Sequence, residues 1–490
     1  MLAELKKLGK HALIYGTGVV LTRAVGFLLI PLYTHYLTPK DYGTLELIDL
    51  TGYIIGYFMG MGLDQAVVRY YHQYADPKDK EAVLSTATWF TALWCAIMVA
   101  ILVPLTPVLS QLIFGSNEYA PLLMLSWAGL FLGSVVGIQK AIIRAQLHSK
   151  RFMTLSLVNT GISVLMNIYF IAILRLGVRG MLYSGIISSF LIGAYLWSRT
   201  VPRTGAKIDM AKLDPMIRYG LPFVPGGIFA FVLNWSDRYF LRHYVDIATV
   251  GLYALGYKLG MIVVMLISVP FKFVWSAYIF EIQKRDNARE IYARVATYFL
   301  TLYCFVGLAI SVLSRELVYI MADPSYRGAE QVIPLVVLGM ILMSSDNVFQ
   351  VGLLIEGRSG YLSVAKGIAA VTNVGLNLVL IPRYGMMGAA WSTTISFGLY
   401  CAGIVYAAQK VYPVPFELAR LARVGVAALA IFAAASFVRT EVLWRSIAIK
   451  SGLLLLFPVL LLGLGFLRDD EAGFVTRKWR ALVKRVRPRG

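Results

Sequence analysis

Charge is scarce in this chain, and most of what there is carries one sign. Only 15% of the 490 residues are Asp, Glu, Lys or Arg, against 58% hydrophobic, so polar side chains are too few to clad soluble domains of this length. Cysteine is rarer still. Cys95, Cys304 and Cys401 all fall in apolar segments without metal-ligand spacing, which leaves out a disulfide framework and a zinc module. A Walker sequence is missing, so ATP coupling within this polypeptide is not expected. Also missing are the short alternating segments a β-barrel needs: runs such as AIMVAILVPL and GLLLLFPVLLLGLGF do not alternate. No nucleic-acid-binding motif accompanies the net charge of +20, and the basic residues are spread over many short loops, as membrane topology requires. Neither a metal nor a cofactor is expected.

What the sequence has in abundance is apolar stretches of about 20 residues, each matching a bilayer core when helical. Helices are expected near 11–35, 43–71, 83–110, 120–147, 151–174 and 178–198, then after the basic linker VPRTGAKIDMAK near 215–243, 248–280, 291–320, 327–355, 361–381 and 386–410, with two more near 416–437 and 444–467. The first segment follows Lys6, Lys7 and Lys10, is too long for a signal h-region and lacks a small-residue cleavage site, so it is expected to remain as a helix. Arg199, Arg203, Lys207 and Lys212, with Lys284, Arg285 and Arg289, bias the even-numbered turns towards the cytoplasm. The expectation is an all-α polytopic protein of about 14 transmembrane helices in a bacterial or archaeal cytoplasmic membrane, with both termini cytoplasmic.

An internal repeat organises these helices. His35-Tyr36 recurs as His243-Tyr244, Gly43 as Gly251, Arg175 as Arg383, Gly177 as Gly385, Gly180 as Gly388 and Ser184 as Ser392, always offset by 208. Two six-helix lobes follow, 1–205 and 206–412, with 413–490 carrying two peripheral helices and a basic tail. Because six is even, the lobes share an orientation, as in transporters with parallel repeats.

Two segments, TRAVGFLLIPLYTHYLTPKDYGTLEL and LNWSDRYFLRHYVDIATVGLYALGYKL, resemble the polysaccharide-biosynthesis flippases of the multidrug, oligosaccharidyl-lipid and polysaccharide exporter superfamily. The resemblance rests on Asp237-Arg238 at the end of the seventh helix, on Gly251 and Tyr253 at the start of the eighth, and on the twelve-plus-two helix count. It implies two lobes that open alternately to each side and move an undecaprenyl-pyrophosphate-linked oligosaccharide outward. Leu29 stands where the lipid II branch carries a second arginine after the position of Arg23, which points away from a lipid II substrate.

A charge at the bilayer centre costs about 2.5–3.5 kcal/mol on insertion scales, so each intramembrane ion is either paired or lines water. Arg23, Lys258 and Lys272 are candidate cavity cations for a pyrophosphate, whose oxygens suit multi-donor cations; for Arg23 a structural pairing stands beside that reading. Asp49 lies at a depth comparable to Lys258, and Asp64 and Lys272 coincide at the 208 offset as a candidate gate pair. Asp237 and Arg238 are adjacent on a helix and so are not expected to pair with one another; an external gate and an interfacial anchor are both open to them. Asp346 is a candidate proton or sodium site or a carboxylate bonded to Ser344, Ser345 or Asn347. Asn159, Asn167, Asn373 and Asn377 read as interhelical hydrogen-bonding groups, and Gly52, Gly56 and Gly60 as a packing ladder. Pro222, Pro225, Gly226 and Gly227 mark a bend or hinge. The tail from Arg468, with Arg477, Trp479, Lys484 and Arg485 among its residues, reads as amphipathic and suited to anionic lipid headgroups.

The expected partners are a lipid-linked oligosaccharide, membrane lipids and other polysaccharide-assembly proteins, with coupling to protons, sodium or the membrane potential open. Competing readings are a multidrug or toxin exporter of the same superfamily and, from other classes, a membrane-embedded glycan polymerase or ligase, or a scaffold.

Overall fold

A computed structural model describes residues 25–438, 440–468 and 471; Arg23 and the basic tail from Arg477 onward lie outside them. Among the described residues there is no strand. The helices run α1 Ile30–Tyr36, α2 Pro39–Gly60, α3 Leu63–Gln73, α4 Pro77–Phe114, α5 Ala120–Ala145, α6 Ser149–Asn167, α7 Gly177–Thr204, α8 Met210–Gly220, α9 Phe223–Trp235, α10 Asp237–Tyr244 and α11 Ile247–Gly260. They continue as α12 Val269–Ile282, α13 Ala288–Val312, α14 Ser314–Met321, α15 Ile333–Ser344, the short α16 Asp346–Phe349 and α17 Val351–Ile355, α18 Gly360–Val411, α19 Leu418–Ser436 and α20 Leu443–Gly463.

Eleven spans among the described residues are long and apolar enough to cross a membrane. Three of the fourteen expected helices are not separate members of that set. Most of the first lies outside the described residues. The second, α2, is diluted by Asp41, Glu46 and Asp49. The eleventh and twelfth run together as α18, which is interrupted only where Gly385 takes φ 54° and ψ −132°. Large apolar side chains stand exposed on the helices, Leu112 at 79% and Val371 at 73% among them, and in a bilayer they meet hydrocarbon.

The chain divides into two compact units. The first holds residues up to Leu259 with Val318–Val336 and Gly360–Tyr400. In it α5 packs on α4, α7, α3 and α2, and α8 packs on α3 and α4. A buried cluster of Leu63, Val67, Val83, Leu84, Ile142 and Met216 holds α3, α4, α5 and α8 together. The second unit comprises Gly260–Leu317, Val337–Ser359 and the chain from Cys401. There α19 and α20 lie against α13 through Leu308, Val312, Val424, Ile431, Leu454 and Phe457. Glu316 accepts from Lys450 Nζ at 2.7 and 2.9 Å and from Ser446 Oγ at 2.5 Å, tying α14 to α20.

Several of the residue pairs offset by 208 adopt the same local structure, although Arg175, at φ 52°, and Arg383, inside α18, do not. His35 and His243 make edge-on contacts to Tyr36 and Tyr244 with ring centroids at 4.9 and 4.8 Å. Thr38 caps α2 through the Asp41 N–H, and Asp246 caps α11 through the Thr249 N–H. Gly177 and Gly385 take φ 57° and 54°. Ser184 and Ser392 are both fully buried and donate to the carbonyls of Gly180 and Gly388.

The glycine ladder is corrected. A side chain at Gly52 would meet Leu130, but Gly56 and Gly60 face open space. The close backbone approach is made instead by Gly62, in a left-handed turn that ends the expected second helix at Met61 and restarts it as α3. The expected bend of the seventh helix falls between Gly220 and Phe223, where α8 stops and α9 begins beside Pro222. Gly226 faces open space, whereas Gly227 lies under the ring of Tyr57.

Candidate functional site

The charged residues of α2, α10 and α11 meet inside the first unit. On α2, Tyr42, Glu46 and Asp49 follow the four- and three-residue spacing that stacks side chains on one helical face. Asp237 and Arg238 open α10, directly after Ser236, and Tyr253, Tyr257 and Lys258 lie along α11.

Asp237 and Arg238 are each only 1% exposed. Arg238 Nη1 donates to Asp237 Oδ1 at 2.6 Å and to the Asn234 carbonyl at 3.0 Å. The expectation that these neighbours do not pair is therefore wrong. It considered only the directions of adjacent Cβ atoms, whereas the long arginine side chain folds back over the preceding turn to the Asn234 carbonyl and meets Asp237 there. The other carboxylate oxygen, Asp237 Oδ2, accepts from Tyr253 Oη at 2.6 Å and Thr393 Oγ1 at 3.2 Å. The guanidinium lies 4.0 Å from the Tyr257 ring centroid and 4.9 Å from that of Tyr253. A buried ion pair holds its charge only with such additional partners, and removing one member costs about 3–5 kcal/mol. Arg238 Nε makes no hydrogen bond; the Glu46 carboxylate stands 3.7 Å from it, at ion-pair range.

Lys258 is half-buried, and its Nζ donates to Tyr42 Oη at 2.8 Å. The carboxylates of Glu46 and Asp49 both act on this ammonium. Asp49 keeps an exposed side chain while its neighbours Ile48 and Leu50 are buried. Three carboxylates, Glu46, Asp49 and Asp237, thus accompany two cations, Arg238 and Lys258. The sequence sets Asp49 at a depth comparable to Lys258; it is Tyr42 that accepts the hydrogen bond of Lys258. Directly beyond it the chain leaves the first unit through a turn at Met261 and a π-helical turn, Val264–Ser268, the kind of irregularity that gathers at functional sites.

Two glycine crossings bracket the cluster. Near the start of α2, a Cβ on Gly43 would collide with the carbonyl of Ile247, and one on Gly251 with the carbonyl of Pro39. Pro39 and Ile247 are themselves offset by 208, so the contact is reciprocal. Tyr326 donates to the Leu37 carbonyl at 2.9 Å beside it. In the same loop Asp323 is held below the usual carboxylate range, first by the Ser325 N–H. At the far end of α2, Gly62 and Gly220 approach as closely, flanked by Tyr70 Oη donating to the Pro215 carbonyl at 3.1 Å, Arg69 over Tyr219 at 4.4 Å and Lys212 over Tyr74 at 3.7 Å.

The remaining candidates lie elsewhere. Asp64 pairs with Arg144 at 3.4 Å in the first unit, and Lys272 stands exposed on α12 in the second. Asp346 begins the one-turn α16; Tyr303 donates to Ser344, and Asn347 Nδ2 donates to Ser268 and the Ser344 carbonyl. Asn167 donates to Tyr33 Oη at 2.9 Å and Asn373 accepts from Ser236, so these two bond between helices as expected, whereas Asn377 donates to Asn373 within α18. Glu46, Tyr257 and Thr393 went unnamed in the sequence. For Glu46 the signal was present, three residues before Asp49 and four after Tyr42; for Thr393, 156 residues from its partner Asp237, there was none.

The sequence matches the model of a family described as polysaccharide biosynthesis protein over residues 34–329, more than half of the chain and all of the cluster except Thr393. The chain belongs to that family. No curated protein matches it in sequence. Among solved structures, the lipid II flippase MurJ in an inward closed conformation superposes with a TM-score of 0.72 at 14% identity, covering 91% of this chain and 98% of that one. A multidrug resistance MATE family transporter of the MOP superfamily superposes with TM-scores of 0.61 inward-facing and 0.56 outward-facing, both at 15% identity, covering 79% and 83% of this chain and 94% and 96% of those. At such identities the likeness is one of fold, and it is the fold of multi-pass membrane transporters.

Proposed function

We propose that the chain is an alternating-access flippase that carries a polyprenyl-pyrophosphate-linked oligosaccharide from the cytoplasmic to the outer leaflet. The observation that carries the reading is the family match, which takes in the charge cluster of α2, α10 and α11. The transporter fold supports it, and so does the reciprocal Gly43–Gly251 contact, which suits two parallel lobes moving about a shared axis.

In this reading the Asp237–Arg238 pair is fixed structure and Lys258 is the exchangeable cation. With the cavity empty, Glu46, Asp49 and Tyr42 meet its charge. An arriving pyrophosphate competes for the ammonium and frees the α2 carboxylates, so binding is felt on two elements at once. Outward movement of about two negative charges across an inside-negative membrane is favoured by roughly 2.3 kcal/mol per charge per 100 mV, enough for the potential to assist export.

The test is flipping of a fluorescent polyprenyl-pyrophosphate oligosaccharide in proteoliposomes. Lys258→Ala is expected to slow flipping about tenfold, the loss of one charge-assisted contact, while Lys258→Arg retains most of it. Unchanged flipping in folded Lys258→Ala and Arg23→Ala would defeat the reading. One observation favours a second cargo: three carboxylates against two cations suit an organic cation, as for a drug exporter. Efflux of a cationic dye that depends on Asp49, with no flipping of the lipid-linked sugar, would select it.

A further inference from the structure

A cavity of about 780 Å³ opens between the end of α4 and α10, wholly within the first unit. One side is apolar, with Pro107, Val108 and Leu112, of which Val108 and Leu112 are 65% and 79% exposed. The lining also carries Gln111, between Val108 and Leu112 on α4, with Asn117, Tyr239, Arg242 and His243. Along the cavity the end of α4 is mostly apolar, interrupted by Ser110 and Gln111, and Gly115, Ser116, Asn117 and Glu118 follow Phe114 at once. The cavity therefore straddles the level at which hydrocarbon gives way to polar surroundings.

Arg242 is fixed there. One Nη donates to the Phe114 carbonyl at the end of α4, and Gly115 leaves room for the guanidinium, since a Cβ at that position would lie 2.5 Å from Arg242 Nη2. The arginine thus sits at the negative end of the α4 dipole, which favours its charge. Its Nε is buried and makes no hydrogen bond, and His243 beside it is exposed. A guanidinium with donors to spare, an imidazole and two amides, set against an apolar wall, match a ligand that is anionic at one end and hydrocarbon at the other.

We propose that this cavity binds the phosphate head of a lipid, Arg242 and His243 taking the phosphate, Gln111 and Asn117 the adjoining polar groups, and Pro107, Val108 and Leu112 the first part of the chain. The proposal does not depend on the transport reading, because it is tested by binding alone. The lipid is either a bulk anionic phospholipid or a polyprenyl phosphate.

The full-length protein in detergent is titrated with phosphatidylglycerol, undecaprenyl phosphate, diacylglycerol and inorganic phosphate, and the adducts are counted by native mass spectrometry. Arg242→Gln also removes the bond to Phe114, so Val108→Trp, which fills the cavity from its apolar side, is measured beside it. Both variants are expected to bind the phosphate-headed lipids about tenfold more weakly than the unaltered protein. Preference for undecaprenyl phosphate would identify the carrier lipid, and equal binding a bulk phospholipid; either sustains the proposal. Diacylglycerol binding as tightly as phosphatidylglycerol, inorganic phosphate competing on equal terms, or both variants binding like the unaltered protein would overturn it.

Discussion

The two ends of α2 make equally close glycine contacts by different means. At Gly43 and Gly251 two regular helices cross near their N-termini, each capped by its own Thr38 or Asp246, and each glycine meets the carbonyl one turn before the other. At Gly62 and Gly220 the chain must first leave the helix: Met61 and Gly62 take φ 46° and 66°, and cations over aromatic rings surround the contact. The first crossing is symmetric and formed by backbone alone. The second depends on a strained turn and on side chains that water and salt can reach. If these are the two ends of an alternating-access cycle, they differ in how easily they open.

Adding a methyl group should expose that difference most at Gly62. An L-residue in the left-handed region costs about 1–2 kcal/mol, and at this position the new Cβ also collides with the Gly220 carbonyl. Thermal unfolding of Gly62→Ala in detergent is therefore expected to show a loss of about 2–5 kcal/mol once overpacking is added. Met61→Gly should be close to neutral, because relief of the same backbone strain offsets the entropy glycine loses on folding. A silent Gly62→Ala would mean that the turn is not held in this conformation, and the contrast between the ends would lapse.

Smaller losses are expected at the symmetric crossing. In Gly43→Ala and Gly251→Ala overpacking against a backbone carbonyl costs about 1–3 kcal/mol, and about 1 kcal/mol is regained because alanine favours the helix. The sharper expectation concerns equality: because the contact is reciprocal, the two variants should lower the unfolding temperature by similar amounts. One severe and one silent variant would show that the 208-residue offset marks similar sequence without a shared mechanical role.

The offset itself was legible in the sequence because glycine, serine and the His-Tyr pair each answer a backbone or capping need that recurs with the fold. What sequence could not give was that Gly43 and Gly251 touch. Offsets report equivalence and say nothing of contact. The Asp237–Arg238 pairing was misjudged for a related reason: the rule for adjacent residues follows Cβ directions, and a side chain as long as arginine can fold back over the preceding turn. The interruption of the seventh helix lies beside Pro222, whose chemistry is local and so legible in the sequence. The ladder on α2 failed because spacing shows which glycines share a face and leaves open whether that face meets a neighbour; Gly56 and Gly60 meet none within 4 Å. Glu46 could have been found from the spacing of Tyr42, Glu46 and Asp49, had the acidic face been read as one surface.

The smallest effect should come from the side chains around the second crossing, and it should depend on salt. Lys212 Nζ lies 2.8 Å from Asp79 and 3.7 Å from the Tyr74 ring centroid, and Asp79 is 44% exposed at the side chain. Ions in bulk screen such a pair, whereas they barely reach a crossing made of backbone. Lys212→Gln should therefore lower the unfolding temperature slightly at low ionic strength and hardly at all near 1 M salt, where the Debye length falls to about 3 Å. The loss caused by Gly43→Ala should stay constant over the same range. A salt-dependent Gly43→Ala, or a Lys212→Gln indifferent to salt, would remove the distinction between a packed crossing and an electrostatic one, and with it the expectation that the Gly62 end opens more readily.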